Sequence, residues 1–367
     1  MRILIFANNV GGLVSFRREL LEALRKNNEE VFCCVPAGDA IEAVKALGCR
    51  FVPIEMDRHG TNPFQELKLL SSYRKILKAI KPDIVFTYTI KCNAYGGMAC
   101  SMMKIPYVAN ITGLGTAIEN GGIMQKVSLF LYKAGLRKAQ KVFFQNTENR
   151  DFMLAHGAVR GAYDMLPGSG VNLDKYTVCP YPAGETVDFI FVARIMKEKG
   201  IDQYLEAAKY ITEKYPQTRF HICGTCEPEY AGNLEELHEK GVVIYHGAVS
   251  DMEKIYAMAS CTVHPTYYPE GMSNVLLESC ACGRPIITTD RSGCREIVDN
   301  GVNGFIVRQR DSQDLIEKIE KFLALSWDDR RIMGLAGRAK VEKEFSRAIV
   351  VERYMEEVQR IYEKTYQ

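Results

Sequence analysis

The fold follows from Glu270-Gly271-Met272-Ser273-Asn274-Val275-Leu276-Leu277-Glu278 and, after three more residues, Cys282-Gly283-Arg284-Pro285. A carboxylate lies in a loop, small residues open a helix, and a second carboxylate follows eight residues after the first. At about 1.5 Å of rise per helical residue, the two acids lie roughly 10 Å apart, with a helix N-terminus between them. Backbone N–H groups and the helix dipole at that N-terminus favour a diphosphate, so the stretch fits a sugar nucleotide. An ordinary glycine-serine helix start would not explain both acids.

Length and composition predict a globular protein of two domains. The chain has 367 residues, of which 47% are hydrophobic and 25% charged, and this length is too great for one ordinary core. The sequence contains no run of about 18 apolar residues, so we expect no membrane span. Segment 1–7 is too short for a signal peptide and reads as a strand, which favours a cytoplasmic protein. We expect the twelve scattered cysteines to be buried reduced thiols, although Cys223 and Cys226 have the spacing of a zinc or redox pair.

Charge is divided unevenly along the sequence. Residues 1–180 hold 23 Lys and Arg against 15 Asp and Glu, a net charge of +8, whereas residues 181–367 hold 24 against 30, a net charge of −6. A basic first half favours an anionic partner, such as phosphates or an anionic membrane surface. No basic block or aromatic RNA-binding signature accompanies it, so we expect no nucleic-acid partner.

Apolar strand-like runs alternate with helical patterns from one end of the sequence to the other. This alternation predicts parallel sheets with right-handed crossovers, and two successive series predict two doubly wound α/β domains. Ligands of such domains bind beyond the carboxyl ends of the strands. We predict strands near 2–7, 31–36, 83–88, 106–111, 141–146, 187–193, 218–223, 242–246, 261–264, 285–289 and 304–307, and helices over 14–26, 64–80, 124–138, 148–156 and 347–364.

Proline and glycine cluster between residues 167 and 186, and this places the domain boundary there. The predicted domains are 1–175 and 176–346. Segment 347–367 is predicted to form a terminal helix that packs back on the first domain.

A pair of glycines, Gly11 and Gly12, follows the first predicted strand and precedes a helix. Glycine there permits close approach of the backbone to a ligand, and the helix N-terminus favours an anion. A tight turn without a binding role is the alternative. Arg17 and Arg18, just beyond, could assist an anion or be solvated.

A second basic stretch follows the strand near 187–193. Arg194 ends that strand and Lys199 comes five residues later, so the pair can hold a diphosphate with a planar fork and a point charge. A solvated loop would explain the pair alone, but near Glu270 it becomes a site for a departing diphosphate. The sequence has no Asp-x-Asp motif, so we predict neither a metal site nor a cofactor.

These features occur in an order and spacing that resemble the GT-B retaining glycosyltransferases of family four, and the resemblance covers essentially the whole chain. It implies two Rossmann-like domains facing across a cleft, the first binding the acceptor and the second the nucleotide sugar. A narrower subset builds capsule, O-antigen and glycoprotein oligosaccharides on a polyprenyl diphosphate, and includes N-acetylgalactosaminyl and N-acetylglucosaminyl transferases. The runs similar to that subset are Thr87-Tyr88-Thr89-Ile90-Lys91, Ile111-Thr112-Gly113-Leu114-Gly115-Thr116 and Leu166-Pro167-Gly168-Ser169-Gly170-Val171.

The resemblance implies a role for each matching residue. Glu278 would bind the ribose hydroxyls of the nucleotide, and Glu270 would meet the 3- and 4-hydroxyls of the donor sugar. Arg194 and Lys199 would hold the diphosphate, which Gly12 would approach from the first domain. The four residues that would offer backbone N–H groups to the sugar and diphosphate are Gly271, Met272, Ser273 and Asn274. Val249 lies where the family's contact with uracil usually falls.

The sequence departs from the family after the fourth strand. Many relatives carry a His there, aimed at the donor sugar, whereas this chain has Thr87-Tyr88-Thr89 and no histidine nearby. Either Tyr88 or Lys91 substitutes for it, or the role is met elsewhere, so we assign no general base. Lys91 is explained equally well as an anion contact and as a surface residue.

Acceptor contacts are predicted at Arg17, Lys91 and Gly115. Gly115 belongs to the loop 113–122, which is read as a mobile acceptor loop or as an ordinary connection. The helical segment 124–141 mixes apolar and basic side chains, so it could lie on an anionic membrane surface, although a core-packed amphipathic helix is the commoner explanation. Basic residues in the predicted helix 64–80 add to the same hypothesis of a basic, membrane-facing surface.

The sequence predicts transfer of a hexose or N-acetylhexosamine from a UDP-sugar to a hydroxyl of a polyprenyl-diphosphate-linked saccharide. Configuration would be retained, no metal would be needed, and the protein would work at the cytoplasmic face of the membrane. A sugar-nucleotide epimerase or a glycan phosphorylase could share this architecture. A non-catalytic nucleotide-sugar-binding protein is the other alternative. The charged residues that argue against it are all present, namely Arg194, Lys199, Glu270 and Glu278. An NAD enzyme is poorly supported, because GxGxxG is absent.

Overall fold

A computed structural model describes residues 1–57, 60, 62–119 and 121–366, and the chain divides into two compact units. The first unit comprises Met1–Gly170, Glu270–Met272 and Arg347–Gln367, and the second comprises Val171–Pro269 and Ser273–Ser346. Of the predicted acceptor loop, Asn120 lies outside the described residues.

The first unit is a doubly wound α/β domain. Its strands are β1 (Arg2–Phe6), β2 (Glu30–Val35), β3 (Arg50–Pro53), β4 (Ile84–Tyr88), β5 (Tyr107–Ile111), β6 (Lys141–Phe144) and β7 (Tyr163–Met165). They pair in parallel in the order β3-β2-β1-β4-β5-β6-β7. The order reverses between β1 and β4, so the carboxyl ends of those two strands flank the place where such a domain binds its ligand. The helices of this unit are α1 (Val10–Lys26), α2 (Ile41–Ala46), α3 (Pro63–Ile80), α4 (Gly97–Met103), α5 (Thr116–Glu119), α6 (Gly122–Leu136), α7 (Thr147–Ala155) and the C-terminal α14 (Arg347–Tyr366).

The second unit has the same design. Its strands are β8 (Val187–Val192), β9 (Thr218–Cys223), β10 (Ile244–Tyr245), β11 (Cys261–His264), β12 (Ile286–Thr289) and β13 (Gly304–Val307). They are parallel in the order β10-β9-β8-β11-β12-β13, which reverses between β8 and β11. The helices are α8 (Ile201–Lys214), α9 (Pro228–Glu239), α10 (Met252–Met258), α11 (Asn274–Ala281), α12 (Ser312–Leu323) and α13 (Trp327–Glu344).

The prediction of two doubly wound domains is confirmed, and each predicted strand occurs within two residues of its expected ends. Two strands were not predicted, β3 and β7, and they form the two edges of the first sheet. β3 ends in Pro53, which is tolerated at an edge but lowers any sequence-based strand prediction. β7 has three residues, too few to show the alternation of a strand.

The C-terminal helix α14 completes the core of the first unit. Tyr354 is fully buried, and its ring packs edge-on against Phe86 at 5.0 Å between centroids and in a tilted arrangement against Phe143 at 5.1 Å. Its hydroxyl oxygen accepts a hydrogen bond from Asn110 Nδ2 at 2.7 Å. Burial of an aromatic side chain of this size contributes about 2 kcal/mol or more.

All twelve cysteines are free thiols, and ten of them are buried, whereas Cys179 and Cys226 are half-buried. The prediction of buried thiols is therefore wrong for these two. Burial raises the pKa of Cys223, at the end of β9, to about 11, so this thiol is protonated and unreactive at neutral pH. The described ranges contain no group of three or more His, Cys, Asp and Glu side chains that could hold a metal ion.

Candidate functional site

The two stretches predicted to hold the diphosphate follow β8 and β11, the adjacent strands at which the second sheet reverses its order. Arg194 lies two residues beyond β8, and Lys199 ends a short 3-10 turn, Lys197–Lys199. The segment that leads to Glu270 begins directly after β11. The structure therefore brings the basic stretch and this segment to the ligand-binding edge of one sheet.

The Lys199 turn is locked against the segment that follows β11. Gly200 has φ +80°, and a Cβ atom there would lie 2.1 Å from the carbonyl oxygen of Pro265, so only glycine fits. The carbonyl of Glu198 accepts a hydrogen bond from the backbone N–H of Tyr267 at 2.9 Å. Lys199 is thereby held in place by backbone contacts on both sides.

Two rings lie close to the Lys199 ammonium. Its nitrogen is 4.6 Å from the centroid of the Tyr268 ring, a cation–π contact. His264, the last residue of β11, is fully buried, and neither ring nitrogen has a hydrogen-bond partner among the residues described. Burial, with the Lys199 charge as the smaller cause, lowers the pKa of His264 to about 3. His264 is therefore neutral, and the positive charge at this edge comes from the predicted basic pair.

Arg194 is the more exposed member of that pair. Its side chain is 52% exposed, and its Nε lies 3.7 Å from Glu227 Oε1, at the start of α9. Nε also donates to Met196 Sδ at 3.1 Å. An exposed pair of this kind contributes little, about 0–1 kcal/mol, so the guanidinium can exchange Glu227 for an anionic ligand.

Helix α11 places the second acid of the motif in its second turn. Glu278 Oε2 accepts a hydrogen bond from the hydroxyl of Tyr256 at 3.0 Å. At the N-terminus, Ser273 makes no side-chain capping bond, and its own N–H donates to Gly293 O at 2.8 Å. The N–H groups of the first turn thus lack a capping side chain, an arrangement that suits an anion. Val249, the predicted uracil contact, is half-buried between β10 and α10.

Arg284, in the Cys282-Gly283-Arg284-Pro285 run, is a structural residue. It is fully buried, and burial lowers the pKa of its guanidinium. Its nitrogens donate to backbone carbonyls before β8 and at the end of α10, those of Pro180 at 2.7 Å, Tyr256 at 2.8 Å, Ala257 at 3.1 Å and Cys179 at 3.2 Å. The guanidinium therefore fixes α10, the helix that supplies the partner of Glu278.

The acidic segment, Glu270–Met272, belongs to the first unit. Asn146 Nδ2 donates to the carbonyl of Glu270 at 3.1 Å and to that of Gly271 at 2.7 Å. Asn146 Oδ1 accepts from the backbone N–H of Asn149 at 2.8 Å and so caps α7. One amide therefore fixes the acidic segment and a helix start together. Sequence reasoning missed Asn146, although a polar residue just beyond β6 was a possible signal.

Two glycines of the first unit are required by close contacts with the acidic segment. A Cβ atom on Gly271 would lie 2.1 Å from the carbonyl oxygen of Thr112 and 2.5 Å from Gln145 Oε1. Gly168 has φ +66°, and a Cβ atom there would lie 2.4 Å from that of Met272. Gly168, in the run that begins at Leu166, thus packs closely against the acidic segment at Met272.

The expected position of Gly12 was wrong in one respect. Helix α1 begins at Val10, so both glycines lie in its first turn and do not precede it. Asn9 caps the helix, and its Oδ1 accepts from the N–H of Gly12 at 2.6 Å. Glycine disfavours helix, which is why the sequence predicted a later start, but the cap offsets that preference.

Arg17 and Tyr88 meet at the reversal of the first sheet. Arg17 is 4% exposed, so the solvated alternative is wrong. Its guanidinium carbon lies 5.0 Å from the centroid of the Tyr88 ring. Nη1 donates to Phe16 O at 2.8 Å, whereas Nε has no partner within the described part of the chain. Burial raises the pKa of Tyr88 well above its ordinary value, so its hydroxyl cannot serve as an ionised base.

Lys91 is largely buried and forms an ion pair with Glu66, so its interpretation as a surface residue is wrong. Its ammonium is paired with Glu66 and donates to Gly60 O at 2.7 Å. The backbone nearby is unusual, because Thr89 has φ +70° and a π-helix spans Cys92–Gly96. A β-branched residue in the left-handed region is strained, and such strain and π-helices are concentrated at functional sites. Gly115 also has a left-handed φ, of +74°.

Helix α6 has a buried face and an exposed one, so the interpretation of the 124–141 segment as a core-packed amphipathic helix is confirmed for its buried face. One face is buried in the first unit, with Leu129, Tyr132 and Leu136. Another face exposes an apolar ridge, and exposed basic residues adjoin it. The apolar ridge consists of Ile123 (79% exposed), Met124, Val127 and Phe130 (69% exposed), and the basic residues are Lys126, Lys133 and Arg137. In the described ranges, no helix is long and apolar enough to pass through a bilayer.

Comparison with known proteins agrees with this architecture. The family model described as Glycosyl transferase 4-like matches residues 2–146, and that described as Glycosyl transferases group 1 matches residues 182–340. The chain is 27% identical to the N,N'-diacetylbacillosaminyl-diphospho-undecaprenol alpha-1,3-N-acetylgalactosaminyltransferase of Campylobacter jejuni, over 98% of this chain and 99% of the relative. It is 26% identical to the capsular polysaccharide biosynthesis glycosyltransferase CapM of Staphylococcus aureus, over 92% of each.

A solved structure confirms the fold. Anabaena Alr3699/HepE in complex with UDP-glucose superposes with a TM-score of 0.80 at 17% identity, covering 98% of this chain and 99% of that one. Together with the two family matches, which follow each other along the sequence, this confirms the resemblance found from the motifs. The chain therefore belongs to the GT-B glycosyltransferases, with a glycosyl transferase 4-like domain followed by a glycosyl transferases group 1 domain.

Proposed function

We propose that the protein moves a hexose or N-acetylhexosamine from a UDP-sugar to a hydroxyl of a polyprenyl-diphosphate-linked saccharide. Configuration is retained and no metal takes part. The observation that carries the proposal is the Lys199 turn, locked beside the segment that leads to Glu270. The Anabaena structure with UDP-glucose supports the donor class. The undecaprenol-linked substrate named for the Campylobacter relative supports the acceptor class.

The donor half of the reaction rests on electrostatics. Arg194 and Lys199 stabilise the charge that develops on the leaving diphosphate, together with the N–H group of Asn274 at the start of α11. The N–H group of Ser273 does not take this role, because it donates to Gly293 O. Glu278 holds the ribose, and Glu270 meets the donor sugar as it gains positive character. The bond from the anomeric carbon to the β-phosphate oxygen breaks, and the acceptor oxygen bonds to that carbon from the same face. The acceptor proton passes to the departing phosphate, so no protein base is needed.

The acceptor half is assigned to the first unit. Arg17 is the proposed contact for the acceptor diphosphate, because its guanidinium is buried at the reversal of the sheet with Nε unpartnered among the described residues. Lys91 and Gly115 stay predictions. The ammonium of Lys91 is paired with Glu66, so any contact with the acceptor would be shared with that carboxylate.

The function is tested by incubating the protein with UDP- and GDP-sugars, a polyprenyl-diphosphate saccharide and EDTA. We expect UDP release that depends on the acceptor, and a glycosidic bond with the anomeric configuration of the donor by NMR. Formation of an epimerised donor would identify an epimerase instead, and formation of a sugar phosphate would identify a phosphorylase. Thermal stabilisation by the nucleotide sugar without turnover would identify a binding protein. Loss of activity in EDTA that Mg²⁺ or Mn²⁺ restores would contradict the metal-free mechanism.

We also propose that the apolar ridge of α6 contacts an anionic membrane. Exposed apolar side chains beside exposed basic ones are the composition of a helix that lies in the lipid interface. This contact would bring the protein to an acceptor that is itself held in the bilayer.

Flotation with liposomes tests the membrane contact. We expect the protein to float with anionic phosphatidylglycerol vesicles and not with neutral phosphatidylcholine ones. The double variant Ile123→Ser/Phe130→Ser should lower the bound fraction about tenfold, because two apolar side chains no longer enter the interface. Val302→Ser, an exposed apolar residue of the second unit, is the matched control. Equal flotation of the ridge variant and the control would contradict the proposal.

A further inference from the structure

Tyr256 is a hydrogen-bond partner of Glu278, the proposed ribose-binding acid. It lies in α10, is fully buried, and donates its hydroxyl to Glu278 Oε2 at 3.0 Å. The same hydroxyl lies 3.4 Å from the carbonyl oxygen of Val275, one turn earlier in α11. One phenol thus contacts both the carboxylate and the helix that carries it.

Tyr256 is held along its whole length. Its carbonyl accepts a hydrogen bond from Arg284 Nε at 2.8 Å. Its ring packs edge-on against Tyr176, with 6.0 Å between centroids. A side chain fixed in this way presents its hydroxyl at one position, and a carboxylate bound to it loses rotational freedom before any ligand arrives.

The hydroxyl is a permanent donor. Burial, and after it the charge of Glu278, raises the pKa of Tyr256 well above its ordinary value. The phenol therefore stays protonated at any working pH, and its O–H group remains available to donate to the carboxylate, the nearer of its two acceptors.

We propose that Tyr256 is a positioning residue for the nucleotide, whose hydroxyl orients the Glu278 carboxylate so that it can accept hydrogen bonds from the ribose hydroxyls. The inference rests on the proposed function, because it takes a UDP-sugar as the donor. It adds that recognition of the ribose depends on a residue in another helix, 22 positions away in the sequence.

The test compares the binding of UDP and 2′,3′-dideoxy-UDP by calorimetry. The wild type should prefer UDP, because the dideoxy compound lacks the hydroxyls that Glu278 accepts from. Tyr256→Phe should weaken UDP binding about tenfold and leave dideoxy-UDP binding nearly unchanged, so that the preference shrinks. KM for the UDP-sugar should rise by the same factor, with kcat at saturation retained.

Tyr181→Phe is the matched control. Tyr181 is a buried tyrosine of the same unit, and its hydroxyl donates to Ser260 O at 2.9 Å. The variant removes an equivalent hydroxyl away from Glu278, so the preference for UDP should stay at its wild-type value. In a Glu278→Gln background, Tyr256→Phe should cause no further loss of preference, because the oriented carboxylate is already gone.

Two results would overturn the inference alone. One is a full preference for UDP in Tyr256→Phe, and the other is equal weakening of both ligands, which would indicate a general structural role. Absence of UDP binding by the folded wild type would overturn the proposed donor, and the inference with it.

Discussion

Replacement of Arg194 or Lys199 by Ala is expected to lower kcat about 10²- to 10³-fold while the protein stays folded. The leaving diphosphate gains charge as its bond to the sugar breaks, and each cation stabilises that charge more than it stabilises the bound substrate. Lys199 should show the larger loss, since the Gly200 turn holds its backbone in place, whereas Arg194 is half-exposed. Initial rates of UDP release at saturating donor give kcat directly.

Lys197→Ala is the control for this pair. Lys197 is exposed in the same turn, so its loss removes one positive charge from the neighbourhood without removing a proposed ligand of the diphosphate. We expect kcat within about twofold of the wild type for this variant. Equal losses in Lys197→Ala and Lys199→Ala would show a general field effect, and wild-type activity in either variant of the proposed pair would refute its role.

Gly271→Ala is expected to lower the rate of turnover about 100-fold, for a different reason. The added methyl group would meet the Thr112 carbonyl oxygen at 2.1 Å and Gln145 Oε1 at 2.5 Å. The first of these is backbone, so the acidic segment must move, and the hydrogen bonds from Asn146 would be lost or bent. A displacement of about 1 Å at a reacting centre can cost roughly 100-fold in rate. Single-turnover rates would measure the loss.

Gly232→Ala is the matched control for this substitution. Gly232 lies in α9, and a Cβ atom there would meet no heavy atom within 4 Å. Alanine is favoured over glycine in a helix by about 1 kcal/mol, so this variant should be at least as stable as the wild type and fully active. If Gly271→Ala turned over at a rate close to that of Gly232→Ala, the acidic segment would tolerate the shift. The prediction that its exact position sets the rate would then be refuted.

The fold could be predicted from the sequence because its signals are local. Apolar runs and turn residues locate every strand except the edge strands β3 and β7 to within two residues, and strand–helix alternation then leaves little choice of topology. The errors have local causes as well. The glycines at 11 and 12 argue for a later helix start, and only the structure shows the cap that Asn9 supplies.

The supports of the site could not be predicted in this way. Asn146 contacts Glu270 from 124 positions away, and Arg284 reaches Pro180 across 104 positions. The spacing of such residues in the sequence does not mark them as partners. They come together only because the chain folds, and no periodic pattern in the sequence relates them. The sequence could therefore suggest which acids and cations act, whereas the structure shows what holds them.

The contacts of Arg284 bear on which side-chain changes the surrounding sequence can accommodate. Its guanidinium donates four hydrogen bonds to main-chain carbonyl oxygens. Every residue type carries such a carbonyl. Substitutions at 179, 180 or 257 leave those acceptors in place, so the contacts depend on the arginine and on the path of the backbone and not on the neighbouring side chains. An anchor of this kind makes the position of α10 tolerant of side-chain changes at the residues that accept its hydrogen bonds.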